Sequence, residues 1–304
     1  MTDDRLPSWR PGAVRDAVVA FLDAAADVPT EQRVACFDND GTLWCEHPSY
    51  VQLDFFLDAL SQAVHADPGL AERAEFAALM SGDQAAIGEI GLERIAYALT
   101  GLFEDQAPEE FTARVRDFMA RATHKALDRP LRSVTYRPML ELLAALRGLE
   151  FTICVVTGGG TEFVRAVSQD LYDVPPENVV GSLIAYEFVP TSEDGTGPSL
   201  RRTAALVGGA NEGAVKVSNI QAQLGRRPIL AAGNSGGDRE MLEWAVAGDG
   251  PTLALLVDHD DDAREFRYVS TAQTFSEPEP VTDVGARLGW TVVSMAHDWE
   301  TIFG

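Results

Sequence analysis

Two aspartates stand two residues apart, Asp38 and Asp40, where the apolar run Val34-Ala35-Cys36-Phe37 ends and just before Gly41. Carboxylates so placed offer a nucleophile and a proton carrier at one strand end, which is the equipment of phosphoryl transfer. The glycine lets the chain turn sharply, so both side chains reach the crevice that open α/β sheets keep at their carboxyl ends. An Asp-x-Asp-Gly also suits a plain turn whose carboxylates only accept backbone N–H bonds. A calcium loop of the EF-hand kind needs glycine sixth and glutamate twelfth, where this chain has Leu43 and Ser49, and that reading fails.

Three further clusters carry chemistry. Thr157-Gly158-Gly159-Gly160 follows the apolar run Ile153–Val156, putting a hydroxyl and open backbone amides at a helix start, where phosphate oxygens bind. Gly233-Asn234-Ser235-Gly236-Gly237-Asp238 follows another strand, Ile229–Ala232. Lys216 lies between these two clusters near the start of its own helix. Only Lys125 and Lys216 are lysines among the 24 basic residues, so the chain spends lysine almost nowhere.

The elements that must position these residues follow from periodicity. Helical spacing covers Ala13–Ala26, then a strand at Val34–Phe37. From Pro48 to about Asp128 the pattern is helical throughout, with stripes at Leu53, Phe56, Leu57 and Leu60, at Ile90, Ile95 and Leu99, and at Phe111, Val115, Phe118 and Met119. Strand Phe151–Val156, a glycine turn and helix Thr161–Leu171 come next. A short strand Val179–Val180, a hairpin within Leu183–Val189 and a polar turn segment Ser192–Ser199 precede a helix over Gly213–Leu224. Strand Ile229–Ala232, helix Asp238–Ala247, strand Leu253–Val257 and an edge strand over Gly289–Met295 complete the order. The acidic run Asp258–Asp262 reads as a solvated helix start. Alternating strands and helices predict a Rossmann-like doubly wound parallel sheet, an α/β fold, with the helical block at 45–135 inserted as a separate domain between core segments 1–44 and 136–304.

At 304 residues and 46% hydrophobic, the chain can bury a substantial core. Its net charge of −23 argues against nucleic acid and anionic membranes as partners, and it obliges local cations to attract any phosphate ester. The N-terminal Met1-Thr2-Asp3-Asp4-Arg5 lacks the pattern of a secretory signal and no run reaches membrane-spanning length, which leads us to expect a cytoplasmic protein. Cys36, Cys45 and Cys154 are too few and too scattered for a disulfide framework or a zinc site. None of the five histidines shows metal spacing, and none is assigned a role.

The four clusters, in this order, resemble the haloacid dehalogenase superfamily, within it the phosphoserine-phosphatase-like branch, from Arg33 to Val257. The resemblance implies that Asp38 is the nucleophile, Asp40 the general acid and base, Thr157 the phosphate-binding hydroxyl and Lys216 the charge-neutralising lysine. It also implies phosphate-binding amides at Gly158 and Gly159, a C1-type helical cap in the inserted block, and Mg2+ held by Asp38, the Asp40 carbonyl and the fourth motif. That motif departs from the common pattern, because Asn234 stands where an aspartate is usual; either Asn234 or Asp238 is then the direct ligand. Dehalogenases lack an acid at the second position of the first motif and ion pumps carry threonine there, so Asp40 points to a phosphate ester. Glu46 resembles, with slightly shifted spacing, the cap-entry glutamate that recognises the amine in phosphoserine phosphatases, and with Trp44 and Tyr50 it would receive an ammonium at the leaving group; the other reading is that the two rings pack at the hinge and Glu46 caps a helix. A phosphotransferase or mutase on the same scaffold and a non-catalytic phosphate-binding regulatory module are the alternatives. Neither the physiological substrate nor the oligomeric state is legible.

Overall fold

The computed structural model describes residues 5–191, 197–272 and 274–304. Helix α1 (Ala13–Ala25) buries Val18, Phe21, Leu22 and Ala25, the i, i+3, i+4, i+7 stripe that its sequence predicts. Strand β1 (Val34–Phe37) is buried at every position, as a strand covered on both faces must be. Five helices follow: α2 (Val51–Ala66), α3 (Ala74–Ser81), α4 (Gln84–Ile90), α5 (Leu92–Gly101) and α6 (Pro108–Arg121). The stripe expected as one helix through Ile90, Ile95 and Leu99 is broken, because Gly91 at φ 87 ends α4 and lets α5 start in a new direction.

The chain then alternates through α7 (Arg137–Gly148), β2 (Thr152–Gly160), α8 (Thr161–Tyr172), β3 (Val179–Val189), β4 (Ser199–Val207), α9 (Ala214–Leu224), β5 (Leu230–Gly233), α10 (Arg239–Val246) and β6 (Leu253–Asp258). It ends with α11 (Val281–Leu288), β7 (Thr291–Ser294) and α12 (Met295–Asp298). The strands form one sheet in the order β4-β3-β2-β1-β5-β6-β7, parallel except for the antiparallel edge strand β4. The doubly wound α/β core is therefore as the alternation predicts. The ends of β1 and β5 are neighbours at its centre, tied where Asp38 N donates to Ala232 O at 2.9 Å.

Three local expectations are corrected. The glycine run is not a turn: β2 continues through Gly160, and a register shift between Val156 and Gly160 bulges the strand against β3. Gly181 makes room for that bulge, since a Cβ there would sit 2.8 Å from Gly159 O. The hairpin is not contained in Leu183–Val189; Val179–Val189 is a single strand whose partner is β4, and residues 192–196 of the expected turn lie outside the described residues. The acidic run starts no helix. Asp260 accepts from Ser294 Oγ and Ala296 N, and Asp261 accepts from Ala263 N and Arg264 N while pairing with the Arg264 guanidinium, so these carboxylates fix a turn.

The helical block is packed into the core and not merely tethered to it. Phe55, Phe103, Phe111 and Phe118 share one hydrophobic cluster with the sheet-covering residues Phe163 and Val167, while Leu60, Phe76, Ile95 and Leu99 form a smaller cluster of their own. Its entry and exit strands are joined where His124 Nε2 lies 2.7 Å from His47 O. Nearby, Lys125 pairs with Asp54 at 2.5 Å and stays half exposed. No helix among the described residues is long and apolar enough to cross a membrane.

Candidate active site

The ends of β1, β2 and β5 bring Asp38, Asp40, Gly158, Gly159 and Asn234 to one cleft, which α9 enters with Lys216. The cleft holds about 40 Å³, room for a few waters at roughly 10–15 Å³ each. Gly41 is required at its floor: its φ is 77, and a Cβ would lie 1.9 Å from Asn234 Nδ2.

Lys216 is the electrostatic centre. Its ammonium is buried and donates to Asp38 Oδ1 and Asp238 Oδ1, both at 2.6 Å, and to Val156 O at 3.0 Å. Burial opposes this charge, but Asp238 and Asp38 outweigh it and raise the lysine above its ordinary value. Burial and the facing Asp238 push the Asp38 carboxyl up, with Lys216 pulling against them. Asp40 has no such ammonium contact; Trp44 Nε1 donates to its Oδ1 at 2.8 Å and Asn39 Nδ2 to its Oδ2 at 3.3 Å. Burial raises its carboxyl despite these bonds. Two carboxyls on one strand end thus sit in different environments, one against a cation and one against neutral donors.

Not every expected residue lines the cleft. Trp44 is 1% exposed and packs against Phe163 and Tyr172, so its ring faces the core and is closed to a ligand. Thr157 is fully buried, its Oγ1 accepting from Gly159 N at 2.9 Å and its hydroxyl bonded to the Asp40 carboxyl, and it does not line the cleft. Asp238 does not line it either: Oδ1 is held by Lys216, and Oδ2 accepts from Asn234 N at 3.0 Å and Ser235 N at 3.1 Å. Its place is to shape the turn after β5. Glu46 does line the cleft, but its Oε1 accepts from Asn234 Nδ2 at 2.8 Å and Tyr268 OH at 2.7 Å. Burial pushes this carboxyl up to about 7.

A divalent cation fits the oxygens present. Asp38 Oδ2 and Asn234 Oδ1 converge on Thr42 Oγ1, at 3.3 and 3.5 Å. One hydroxyl hydrogen serves only one of them, and both separations exceed a good O–H···O bond of about 2.7–2.8 Å. Two buried, poorly satisfied oxygens side by side suit a hard cation. No group of three or more His, Cys, Asp or Glu suitable for a metal occurs among the described residues, so such an ion depends on amide and carbonyl oxygens.

Other residues of the site escape the motifs. Gln52 of α2 accepts from Gly160 N at 2.8 Å, linking the helical block to the bulge. Glu212 lines the cleft beside Gly158 and accepts from Thr274 N at 3.0 Å. His259, given no role from its spacing, is buried with Nε2 at 2.9 Å from Gly41 O and Nδ1 at 3.3 Å from Glu265 Oε2. Ser270 Oγ accepts from Asn234 Nδ2 at 3.1 Å. Thr42 adjoins the first motif and was within reach of the sequence; the residues at 259–274 lie beyond every motif, in a stretch without periodicity.

A family model described as haloacid dehalogenase-like hydrolase matches residues 35–243. Among solved structures, a protein of unknown function from Bordetella pertussis Tohama I is 18% identical, with 86% of this chain and 98% of that chain covered and a TM-score of 0.52. A HAD family hydrolase from Salmonella enterica is 14% identical over 88% of this chain and 68% of that one, at a TM-score of 0.44. A probable phosphoserine phosphatase from Vibrio cholerae is 15% identical over 76% and 58%, at 0.41. The first of these likenesses shows a shared fold. No curated protein matches the sequence.

Proposed function

The chain belongs to the haloacid dehalogenase-like hydrolases, and from that premise we propose that it is a Mg2+-dependent phosphomonoester hydrolase acting on a small phosphorylated metabolite through an aspartyl phosphate. The observation that carries this reading is the division of labour at the end of β1. Asp38 lies 2.6 Å from the Lys216 ammonium, where an anionic phosphoryl group and an anionic nucleophile share one counter-charge. Asp40, raised by burial and bonded only to neutral donors, is suited to carry a proton.

In the proposed reaction an Asp38 oxygen attacks phosphorus, and the bond from phosphorus to the ester oxygen breaks as Asp40 gives that oxygen its proton. A water then attacks the aspartyl phosphate, Asp40 takes the water's proton, and the bond from phosphorus to Asp38 breaks to release phosphate. Lys216 and the amides of the β2 bulge stabilise the equatorial oxygens, each donor contributing about 2–4 kcal/mol in a site closed to water. Asp38, the Asp40 carbonyl and Asn234 are the proposed Mg2+ ligands, and the ion when bound adds positive charge beside the transferred group.

The block 45–135 is the proposed cap over a core of 1–44 and 136–304. Movement of this block is the proposed way for substrate to enter the cleft. Glu46, Tyr50 and Glu212 face the leaving group, which favours one without negative charge. Three unpaired, buried cysteines support a reducing compartment, the cytoplasm.

The test is phosphate release from p-nitrophenyl phosphate, phosphoserine, phosphorylcholine, phosphoethanolamine and sugar phosphates, with Mg2+ and with chelator. Metal-dependent release that Asp38→Asn lowers by on the order of 10³-fold or more is expected. Near-normal turnover by a folded Asp38→Asn protein, with deamidation excluded, refutes the assignment.

A further inference from the structure

Asn234 poses a problem for a cation site, because an amide has two faces and only its oxygen binds metal. The surroundings of the amide resolve it. Its nitrogen points away from Asp38 into Glu46 Oε1 at 2.8 Å and Ser270 Oγ at 3.1 Å, leaving Oδ1 toward Thr42 and Asp38. Glu46 is itself held, since Tyr268 OH donates to the same Oε1 at 2.7 Å. Because Oε1 already accepts from Tyr268 OH, it is an acceptor whether or not the other oxygen of the carboxyl holds a proton, so turning the amide over would set its oxygen against an accepting oxygen at 2.8 Å.

We propose that Glu46 is a positioning residue for the cation site: it locks the Asn234 amide with its oxygen facing Asp38, and so lets an asparagine serve where a carboxylate is usual. The inference rests on the Mg2+-dependent reading above and deepens it. Tyr268 and Ser270, which complete the lock, come from the segment after β6, beyond the stretch 35–243 matched by the family model. That segment and Asn234 form one device.

The test is Mg2+ binding by titration calorimetry without substrate, together with the melting temperature in chelator. Removing a group that orients a metal ligand typically weakens metal binding about 10–100-fold. Glu46→Leu should lose Mg2+ affinity in that range while Glu46→Gln, whose amide oxygen can still accept from Asn234, retains more of it. Asn234→Asp alone sets two carboxylates face to face and should bind Mg2+ weakly; the pair Asn234→Asp with Glu46→Gln, which restores a donor to an acceptor, should recover binding. The paired variant keeps the volume of the site and serves if Glu46→Leu fails to fold. Glu46→Leu affinity within twofold of wild type, or a pair that binds no better than Asn234→Asp, overturns the positioning role while leaving the hydrolase reading intact. Wild-type protein that binds no Mg2+ overturns both the role and the metal dependence.

Discussion

Asp40 differs from Asp38 in what it is denied: an indole, an amide and a hydroxyl hold it, and no ammonium touches it. Replacing it with asparagine keeps the size of the side chain, retains one of its two acceptor oxygens and removes the proton. Asp40→Asn should therefore cut turnover of alkyl phosphates by roughly 10²–10⁴-fold, and more than that of p-nitrophenyl phosphate, whose leaving oxygen needs no proton. A quench with the aryl ester should catch phosphate bound to the protein, because the same side chain also activates water. Equal losses on both esters, with no trapped phosphate, would show that Asp40 carries no proton in the reaction.

At the scale of elements, the helical block meets the sheet through a few polar ties as well as its aromatic cluster. Gln52 of α2 takes the Gly160 amide, so Gln52→Leu leaves a part-buried N–H unpaired at a cost of about 1–3 kcal/mol. The expected result is a raised KM with a smaller change in kcat; unchanged values of both would show that this tie does not govern closure. His124 joins the block's two connecting strands. Its Nδ1 accepts from Ala126 N and Leu127 N, so Nε2 carries the proton given to His47 O. Burial lowers this imidazole below its ordinary 6.5. The unfolded chain takes up the proton first, so the stability this tie contributes is complete above pH 6.5 and drains away as pH falls toward the lowered folded value. The melting-temperature advantage of wild type over His124→Gln should shrink on acidification from pH 8 to 5.5, and a constant difference would refute it. The first motif and the alternation of strands with helices were legible because buried parallel strands are uninterrupted apolar runs. Strand β4 was not, because one of its two buried positions is a small Ala204 and the other is Arg202, 2% exposed, paired with Glu162 at 2.8 Å and set over the Phe111 ring at 4.0 Å. A buried cation on the inner face erases the alternation by which a strand is read. His259, Tyr268 and Ser270 were missed for another reason, since loop residues reach a site through tertiary folding alone and leave no period in the sequence.

For the whole molecule, a net charge of −23 repels phosphate esters, which the proposed role of Lys216 has to offset locally. Screening should relieve this: kcat/KM for a dianionic ester should rise as salt goes from about 10 to 150 mM, where the Debye length falls to about 8 Å. A fall instead would mean that local cations already dominate the approach. The scarcity of lysine has a practical consequence. Lys125 is 53% exposed and Lys216 only 3%, so an amine-acylating reagent should mark the first at once and the second only when the cleft opens. The ratio of the two adducts over time is then an internal clock, with one side chain recording exposure to reagent and the other recording how often the enzyme breathes.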